Sequence, residues 1–385
     1  MSELDRLIHA LCPNGVEHLS IGSLISRERS RGKEYPDVKQ VYVVSNTQGI
    51  VRAEEYRENT IHSEDTSNYT VLRQNMVAYN PSRLNIGSIA RLKDGEAGLV
   101  SPMYVVFSID SNKILYEYFD YLITSSYVSS KIDAFKEEGA RFRFDFSRWD
   151  WIMIPLPPLE IQREIVRILD NFTKLIAELT AELTARKKQY SYYRDFIFTN
   201  AKDVTPTTLD KIALNCDSQR KPVTSGKREA GHIPYYGASG IVDYVKDYIF
   251  DGDYLLISED GANLLARSTP IAFSISGKTW VNNHAHILKF DEYATRRYVE
   301  IYLNSIDLSY YITGGAQPKL NQKNLNRIEI PLPPLNEQKR IVELLDRFDT
   351  LCNDISAGLP AEIEARQKQY EYYRDKLLTF KEASL

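Results

Sequence analysis

The stretch Ile-Pro-Leu-Pro-Pro-Leu-Glu-Ile-Gln-Arg-Glu-Ile-Val at residues 154–166 returns at residues 330–342 as Ile-Pro-Leu-Pro-Pro-Leu-Asn-Glu-Gln-Lys-Arg-Ile-Val. A second stretch, Gln-Tyr-Ser-Tyr-Tyr-Arg-Asp at residues 189–195, returns at residues 369–375 as Gln-Tyr-Glu-Tyr-Tyr-Arg-Asp. Long blocks repeated in the same order indicate a tandem duplication. Because dissimilar sequence separates the copies, we predict one scaffold used twice, with two different globular parts and a pseudo-two-fold plan.

The repeated blocks divide the chain into four segments. Residues 1–152 and 203–328 contain strand-like apolar runs between turns that hold Gly and Asn, and each is predicted to form a globular α+β domain. Residues 115–135 are predicted to be helical, and strands are predicted at residues 41–44, 76–79, 104–107, 254–257 and 285–288. Residues 153–202 and 329–385 each contain Pro-Leu-Pro-Pro, which cannot be helical, followed by a long heptad pattern.

Each heptad pattern predicts a coiled-coil helix, because apolar residues recur alternately four and three positions apart. The seam of the first copy is formed by Ile165, Leu169, Phe172, Ile176, Leu179, Leu183, Tyr190 and Tyr193. The seam of the second copy is formed by Ile341, Leu345, Phe348, Tyr370 and Tyr373. Since both helices belong to one chain and each leads out of a globular domain, we expect them to pack antiparallel.

The second copy carries four extra residues near positions 358–361, and Pro360 is among them. Four added residues form a stutter in a heptad pattern, and proline breaks or kinks a helix. We therefore expect a continuous first helix and an interrupted second one. The predicted fold class is α+β, with two globular mixed domains joined by two long antiparallel coiled-coil helices in a pseudo-two-fold internal repeat.

Composition places the chain among ordinary globular proteins. Its 385 residues are 43% apolar and 26% charged, which suffices for two cores of roughly 150 residues each. Three cysteines, at positions 12, 216 and 352, are too few and too far apart for a disulfide framework or a metal cluster. The first residues lack the features of a signal peptide, and no apolar run reaches about 18 residues. We therefore expect a cytoplasmic protein without a membrane segment.

This layout resembles the DNA specificity subunit of type I restriction-modification systems over the whole chain. The resemblance rests on the order of variable domain, Pro-Leu-Pro-Pro-Leu helix, second variable domain and second such helix. The blocks Arg-Lys-Lys-Gln-Tyr-Ser-Tyr-Tyr-Arg-Asp (186–195) and Arg-Gln-Lys-Gln-Tyr-Glu-Tyr-Tyr-Arg-Asp (366–375) further resemble the type IC branch. Two copies of a long block in the expected order make the match specific.

The resemblance implies a role for each segment. Residues 1–152 and 203–328 would be target recognition domains, each of which reads half of a split sequence in double-stranded DNA. Residues 153–202 and 329–385 would set the spacer and bind two modification subunits. The modification subunits would carry S-adenosylmethionine, and restriction subunits would use ATP and Mg for translocation and cleavage. This chain itself would be non-catalytic, without a cofactor or metal.

Local cationic clusters are the first candidates for DNA contact. The net charge of −4 is not the footprint of a protein that binds DNA on its own. However, Arg27, Arg29 and Arg31 lie close together in the first domain, and Arg220 and Lys221 lie at a similar distance into the second. The alternative for these residues is solvated surface charge.

The loops before each Pro-Leu-Pro-Pro are a second candidate. They align at the same offset as the Pro-Leu-Pro-Pro blocks themselves, and their polar side chains differ between the copies: Arg141 and Arg143 in the first domain, and Gln317, Lys319 and Asn321 in the second. Arg and Lys pair with guanine, and Gln and Asn pair with adenine. A shared loop with exchanged side chains is therefore expected of two domains that read different half-sites; ordinary turns are the alternative.

Polar residues that follow one predicted strand in each domain are the third candidate. They are Asn80, Ser82, Arg83, Asn85 and Arg91 in the first domain, and Ser258, Asn263 and Arg267 in the second. The two sets align where the predicted strands at residues 76–79 and 254–257 end, and they diverge further along the chain.

Two other function classes remain open from the sequence. One is a recognition protein linked to its own methyltransferase, and the other is a coiled-coil scaffold or adaptor without DNA specificity. Against the first, residues 272–279 end like a phosphate-binding loop but lack its first glycine and are predicted to form a hairpin. Asn80-Pro81-Ser82-Arg83 lacks the second proline and the aromatic ring of a methyltransferase tetrad. His284 and His286 have no third metal ligand nearby in sequence and are predicted to be structural.

Overall fold

The computed structural model describes residues 2–56, 63, 65–137, 142–200, 204–314 and 317–383. The chain forms two compact units. The first comprises Met1–Leu179 and Ile363–Leu385, and the second comprises Thr180–Glu362. Each unit contains one globular domain and part of the repeated helical segments.

The strands of the two domains correspond one to one. The first domain contains β1 (His18–Ser20), β2 (Ile25–Arg27), β3 (Val41–Ser45), β4 (Gly49–Arg52), β5 (Thr70–Leu72), β6 (Val77–Tyr79), β7 (Ile89–Arg91), β8 (Gly98–Val100), β9 (Val105–Ile109) and β10 (Met153–Pro155). The second contains β11 (Thr207–Thr208), β12 (Leu214–Asn215), β13 (Ala230–Gly237), β14 (Gly240–Val245), β15 (Phe250–Asp251), β16 (Tyr254–Ser258), β17 (Ala272–Ile275), β18 (Lys278–Val281), β19 (Ala285–Lys289) and β20 (Glu329–Ile330).

The helices follow in chain order. They are α1 (Glu3–Leu11), α2 (Ala53–Tyr56), α3 (Tyr116–Ile123), α4 (Ser126–Ala134), α5 (Leu159–Thr199), α6 (Leu209–Ile212), α7 (Asn263–Ala266), α8 (Tyr293–Ser305), α9 (Gln322–Asn326), α10 (Leu335–Asn353) and α11 (Leu359–Leu377). The predicted helix at residues 115–135 is thus two helices. Ser125 lies between them and caps the second, because its hydroxyl accepts a hydrogen bond from the Val128 N–H.

Sheet order is identical in the two domains. The orders β1-β10, β2-β9-β6-β7 and β4-β3-β8-β5 of the first domain match β11-β20, β12-β19-β16-β17 and β14-β13-β18-β15 of the second. A parallel pairing also recurs at the same place, since β3 pairs parallel with β8 and β13 with β18. The duplication predicted from the helical blocks therefore extends through both mixed domains.

The repeated Pro-Leu-Pro-Pro segment has a structural explanation in a buried glutamine. Gln162 is fully buried and donates from Nε2 to the carbonyl oxygens of Pro157 and Lys113. Its counterpart Gln338 donates from Nε2 to the Pro333 carbonyl oxygen at 2.6 Å. In both copies the glutamine thus ties the proline segment to the start of the helix, which keeps buried polar groups paired.

The helical segments follow the predicted seams. In the first unit, Ile165 and Leu169 of α5 are fully buried, and Phe172 stacks on Tyr373 with ring centroids 5.6 Å apart. Tyr370 packs edge-on against Tyr121. Further along α5, Ile176 and Leu179 of the predicted seam are half-buried, whereas the residues flanking them are exposed.

In the second unit, α10 runs antiparallel to the C-terminal part of α5. Lys187 of α5 lies near Cys352 of α10. Tyr193, which is further along α5, packs against Phe348, which comes earlier in α10, with ring centroids 6.0 Å apart. The remaining seam residues, Leu183, Tyr190, Ile341 and Leu345, are half-buried or buried. The expected interruption is also present, because α10 ends at Asn353 and α11 begins at Leu359.

The predicted hairpin at residues 272–279 is wrong. β17 pairs with β16, whereas the following strand, β18, pairs with β13 and β15 in a different sheet. The chain changes sheets at Gly277, whose φ of +74° favours glycine. Each strand is therefore stabilised by its own sheet and not by the other strand.

Among the described residues, no helix has both the length and the apolar character needed to cross a membrane.

Candidate DNA interface

A cleft of about 700 Å³ in the first domain brings together residues from all three sets of candidates for DNA contact that the sequence offered. Its lining includes Arg27, Arg29, Arg31, Asn80, Ser82, Arg83 and Arg143. These side chains come from the end of β2, the turn after β6 and the loop before β10. Residues that are far apart in sequence therefore line one concave surface.

Local hydrogen bonds hold the turn after β6 in place. The Asn80 side-chain oxygen accepts from the Ser82 N–H at 2.9 Å, and the Asn80 carbonyl oxygen accepts from the Arg83 N–H at 3.0 Å. Asn80 is itself buried, whereas Ser82 and Arg83 are exposed. The asparagine thus shapes the turn, and the residues after it face the solvent.

The cleft carries an excess of positive charge. Its carboxylate, Glu28, is paired with Arg73 at 3.2 Å. Burial raises the pKa of Glu28, but hydrogen bonds from the backbone and side chain of Ser30 and from the Arg29 N–H outweigh it, so that the net pKa is lowered and the group is ionised. Arg143, with a weak ion pair to Glu137 at 3.7 Å, remains 62% exposed.

The other four lining arginines are available for a ligand. Arg27, Arg29, Arg31 and Arg83 make no salt bridge to a carboxylate in the described part of the chain. The guanidinium carbon of Arg27 lies 5.8 Å from the centroid of the Phe146 ring. Arg31 donates to two neutral oxygens, the Asn68 carbonyl oxygen and the Thr70 hydroxyl oxygen. Guanidinium groups without a carboxylate partner on a concave surface are suited to phosphate and guanine oxygens.

In both domains, the loop before Pro-Leu-Pro-Pro is joined by an equivalent backbone hydrogen bond to a turn, which follows β6 in the first domain and β16 in the second. We call residues 142–145 the first recognition segment and residues 317–321 the second. The Phe144 N–H donates to the Pro81 carbonyl oxygen at 3.0 Å, and the Leu320 N–H donates to the Glu259 carbonyl oxygen at 2.8 Å. Each segment then ends in a helix cap, formed by Asp145 in the first domain and by Asn321 in the second.

An ionic cluster occupies the corresponding region of the second domain. The carboxylate oxygens of Glu259 lie 2.6 Å from a guanidinium nitrogen of Arg220 and 3.1 Å from Nζ of Lys319. Asp217 accepts a 2.6 Å hydrogen bond from His286 Nδ1, and the other ring nitrogen, Nε2, lies 2.7 Å from the Leu320 carbonyl oxygen. These five residues, Asp217, Arg220, Glu259, His286 and Lys319, form what we call the ionic cluster.

Both carboxylates of the ionic cluster are held ionised. Burial raises the pKa of Asp217, but the hydrogen bond and charge of His286, the Ile287 N–H and the charge of Arg220 outweigh it and lower the net pKa. Burial likewise raises the pKa of Glu259, which the hydrogen bond of Arg220, the charge of His286 and the hydrogen bond of Lys319 lower overall.

Ligand-like atoms of Asp217, Glu259 and His286 lie within 4.8 Å of one another. Neither carboxylate is close to His286 in sequence, which is why the sequence offered no third ligand, and the fold brings both in from distant parts of the chain. Both ring nitrogens of His286 already face oxygen acceptors, and Arg220 contacts both carboxylates. The donor set is thus satisfied by internal ion pairs, which is a different arrangement from an open metal site.

Several predicted contacts serve internal structure. The Arg91 guanidinium is buried and bonded to Asp120, Glu117 and Asn75. Arg220 belongs to the ionic cluster, and Ser258 is fully buried and donates to the Ala238 carbonyl oxygen. Asn263 fixes its own turn through Ser268 and Thr269.

The remaining predicted contacts lie at the surface or outside the described residues. Asn85, Lys221 and Gln317 are exposed, Arg267 is partly exposed in a left-handed conformation, and Lys319 is 51% exposed. Arg141 lies outside the described residues.

Tyr79, whose hydroxyl donates to the Phe144 carbonyl oxygen, and the acids Asp217 and Glu259 belong to these sites without having been candidates from the sequence. Asp217 and Glu259 resemble ordinary surface acids in sequence, because their cationic partners are up to 69 residues away. The His284-Ala285-His286 motif is conspicuous in the sequence, but sequence alone does not show that its second histidine contacts Leu320.

Family comparison agrees with the repeated architecture. Residues 29–186 and 202–365 each match the family model of the type I restriction modification DNA specificity domain. The specificity subunit of the Escherichia coli type I restriction enzyme EcoR124I/EcoR124II is 37% identical over 311 residues, which cover 73% of this chain and 74% of that subunit.

Solved structures show a similar fold. A chain from a type I restriction-modification system superimposes with a TM-score of 0.61 at 16% identity, and the match covers 95% of this chain and 98% of that chain. The HsdS subunit from Thermoanaerobacter tengcongensis gives a TM-score of 0.56 at 18% identity, with 96% and 97% covered.

Proposed function

Because the chain belongs to the type I restriction-modification DNA specificity family, we propose that it is the subunit that recognises the DNA target, with one half-site bound by each domain. Its similarity to EcoR124I, a type IC enzyme, agrees with the branch indicated by the tyrosine-rich blocks. The observation that carries the proposal is the first-domain cleft, where four arginines that have no salt bridge to a carboxylate within the described ranges meet a polar turn.

The two domains would use different contact chemistry. The first-domain cleft offers guanidinium donors for phosphate oxygens and guanine. In the second domain, the equivalent segment presents Lys319, whose ammonium group is shared with Glu259. Different donors on equivalent segments support the recognition of unlike half-sites.

Two equivalent surfaces would bind two modification subunits. Leu175 of α5 and Leu351 of α10 occupy the same position of the repeat, and each is 36% exposed. In the second unit Leu351 and Tyr293 line an open groove of about 800 Å³, with the charged residues Lys339 and Glu343 among its lining. An apolar patch with charged neighbours is typical of a protein interface.

The chemistry of the complex would lie in its partners. We propose that S-adenosylmethionine binds the modification subunits, and that ATP and Mg bind restriction subunits, in the cytoplasm. A methyltransferase within this chain is disfavoured, because Asn80, the residue nearest to a catalytic motif, is buried and bonded within its own turn. A pure scaffold is disfavoured by the arginine-lined cleft.

Reconstitution with the modification subunit of the same system tests this proposal. Native mass spectrometry should show two modification subunits bound to each chain, because the docking positions are repeated. A stable one-to-one complex at saturating modification subunit would contradict the two-surface model.

The same preparations test where catalysis resides. With S-adenosylmethionine, methyl transfer to DNA should require both proteins, and the chain alone should transfer none. Transfer by the purified chain alone would instead favour the methyltransferase alternative, and equal methylation of all sequences by the complex would favour the scaffold.

A further inference from the structure

The next-to-last residue of each recognition segment, Phe144 or Leu320, is held by both of its backbone polar groups. Its N–H donates to the turn after β6 or β16, as described above. Its carbonyl oxygen also accepts a side-chain hydrogen bond: Leu320 accepts from His286 Nε2 at 2.7 Å, and Phe144 accepts from Tyr79 Oη at 3.4 Å. Phe144 and Leu320 occupy equivalent positions of the repeat, since each lies ten residues before the first Ile of its Ile-Pro-Leu-Pro-Pro block.

The two donors come from different strands and have different chemistry. Tyr79 ends β6, whereas His286 lies in β19, and both side chains are buried. Two unlike residues therefore donate to equivalent carbonyl groups, one in each recognition segment. The presence of this hydrogen bond in both domains, with a different donor in each, indicates that the position of the carbonyl matters to the segment.

We propose that Tyr79 and His286 are positioning residues that fix the recognition segments and thereby the side chains of Arg143 and Lys319. This inference rests on the proposed function, because it assigns those segments to DNA recognition. Arg143 and Lys319 directly precede the clamped residues, and both are more than half exposed. A shift of the clamped carbonyl would move the neighbouring cation, whereas the other domain would be unaffected.

The clamp requires a defined protonation state of His286. A carbonyl oxygen only accepts hydrogen bonds, so Nε2 must carry a proton. Nδ1 lies 2.6 Å from an oxygen of the Asp217 carboxylate, which holds the ring on the side opposite Leu320. Around this ring lie the carboxylates of Asp217 and Glu259 and the cationic side chains of Arg220 and Lys319.

Conservative variants separate positioning from folding. Tyr79→Phe removes only the hydroxyl and retains the buried ring, whose centroid lies 5.8 Å from that of Trp149. The matched control is Tyr118→Phe, because the Tyr118 hydroxyl in the same core is buried and has no hydrogen-bond partner among the described residues. His286→Asn tests the second clamp.

The readout is methylation by the complex of full-length chain and modification subunit. The substrates are the duplex found by methylome sequencing of the wild type and duplexes mismatched in one half-site. Tyr79→Phe should lower discrimination at the first half-site by about 2- to 10-fold, as expected for one hydrogen bond, and leave the second unchanged. His286→Asn should lower discrimination at the second half-site by about 10-fold or more and leave the first unchanged.

Other outcomes would overturn the inference. Wild-type discrimination in both Tyr79→Phe and His286→Asn would show that the carbonyl clamps do not position the segments. Equal losses at both half-sites, or a loss in Tyr118→Phe as large as in Tyr79→Phe, would indicate a general packing effect. Failure of the proposed function itself is distinguishable, because the wild-type complex would then show no discrimination.

Nuclear magnetic resonance of the 15N-histidine-labelled full-length chain tests the second clamp in the wild-type protein, so the test does not depend on the folding of a variant. The His286 Nε2 should carry a proton. An unprotonated Nε2 would overturn the second clamp, because that nitrogen would have no hydrogen to donate to Leu320.

Discussion

Charge reversal at Arg27, Arg29 and Arg83 is expected to lower the affinity of the assembled complex for its cognate duplex by about 100-fold or more. These arginines line the cleft without a carboxylate partner among the described residues, so reversal replaces attraction to DNA oxygens with repulsion. The dependence of binding on salt should also weaken, by about 0.9 in logarithmic slope for each phosphate that the variant no longer neutralises. Binding to labelled duplexes at several salt concentrations measures both effects.

A control variant carries the same change in net charge outside the cleft. Arg6, Arg52 and Lys113 of the same unit have side chains that are 62%, 45% and 53% exposed. Their replacement by glutamate should change affinity much less. Equal losses in the two triple variants would show that total charge, and not the cleft, governs binding.

Insertion of one further Glu-Leu-Thr-Ala unit after Ala185 should widen the unspecified spacer of the methylated motif. Residues 178–181 and 182–185 are two copies of this unit, and both lie within the uninterrupted α5. Four added residues lengthen a helix by about 6 Å and rotate it by about 40° beyond a full turn. This length is roughly two base pairs of duplex, so both half-sites should remain unchanged while the gap between them grows.

A length-preserving variant controls for composition. The double substitution Thr180→Ala and Thr184→Ala alters both units while the helix keeps its length, and it should retain the original spacer. Methylome sequencing reads the spacing directly. An active insertion variant with the original spacing, or with altered half-site bases, would defeat the spacer model.

Features with local causes could be predicted from the sequence. The heptad spacing predicted the seam through Phe172 and Tyr373, and Pro360 with its four-residue insertion predicted the break between α10 and α11. Apolar runs likewise predicted β3, β6, β9, β16 and β19. Periodicity and proline chemistry act over a few residues, so they are visible without knowledge of the tertiary fold.

Features with distant causes could not be predicted. Arg220 and Lys221 are neighbours in sequence, where they form one cationic cluster. The fold pairs Arg220 with Glu259, 39 residues away, and leaves Lys221 exposed. Adjacent residues of an extended segment point in opposite directions, and only the tertiary structure determines which of them meets a carboxylate.

The failed hairpin prediction has a similar origin. The stretch from Ala272 to Val281 contains a glycine between two strand-like runs, which is a local signal for a hairpin. The two runs instead find partners in different sheets, because long-range pairing with β16 and β13 satisfies their backbone groups.

The central claim is that each domain recognises its own half-site while the helical segments set the distance between them. The most direct test replaces residues 203–328 with the corresponding domain of a family member of different specificity and determines the methylome of cells that express the chimera with the modification subunit. The account predicts new bases in one half of the motif, with the other half and the spacer retained. Changes in both halves would contradict it.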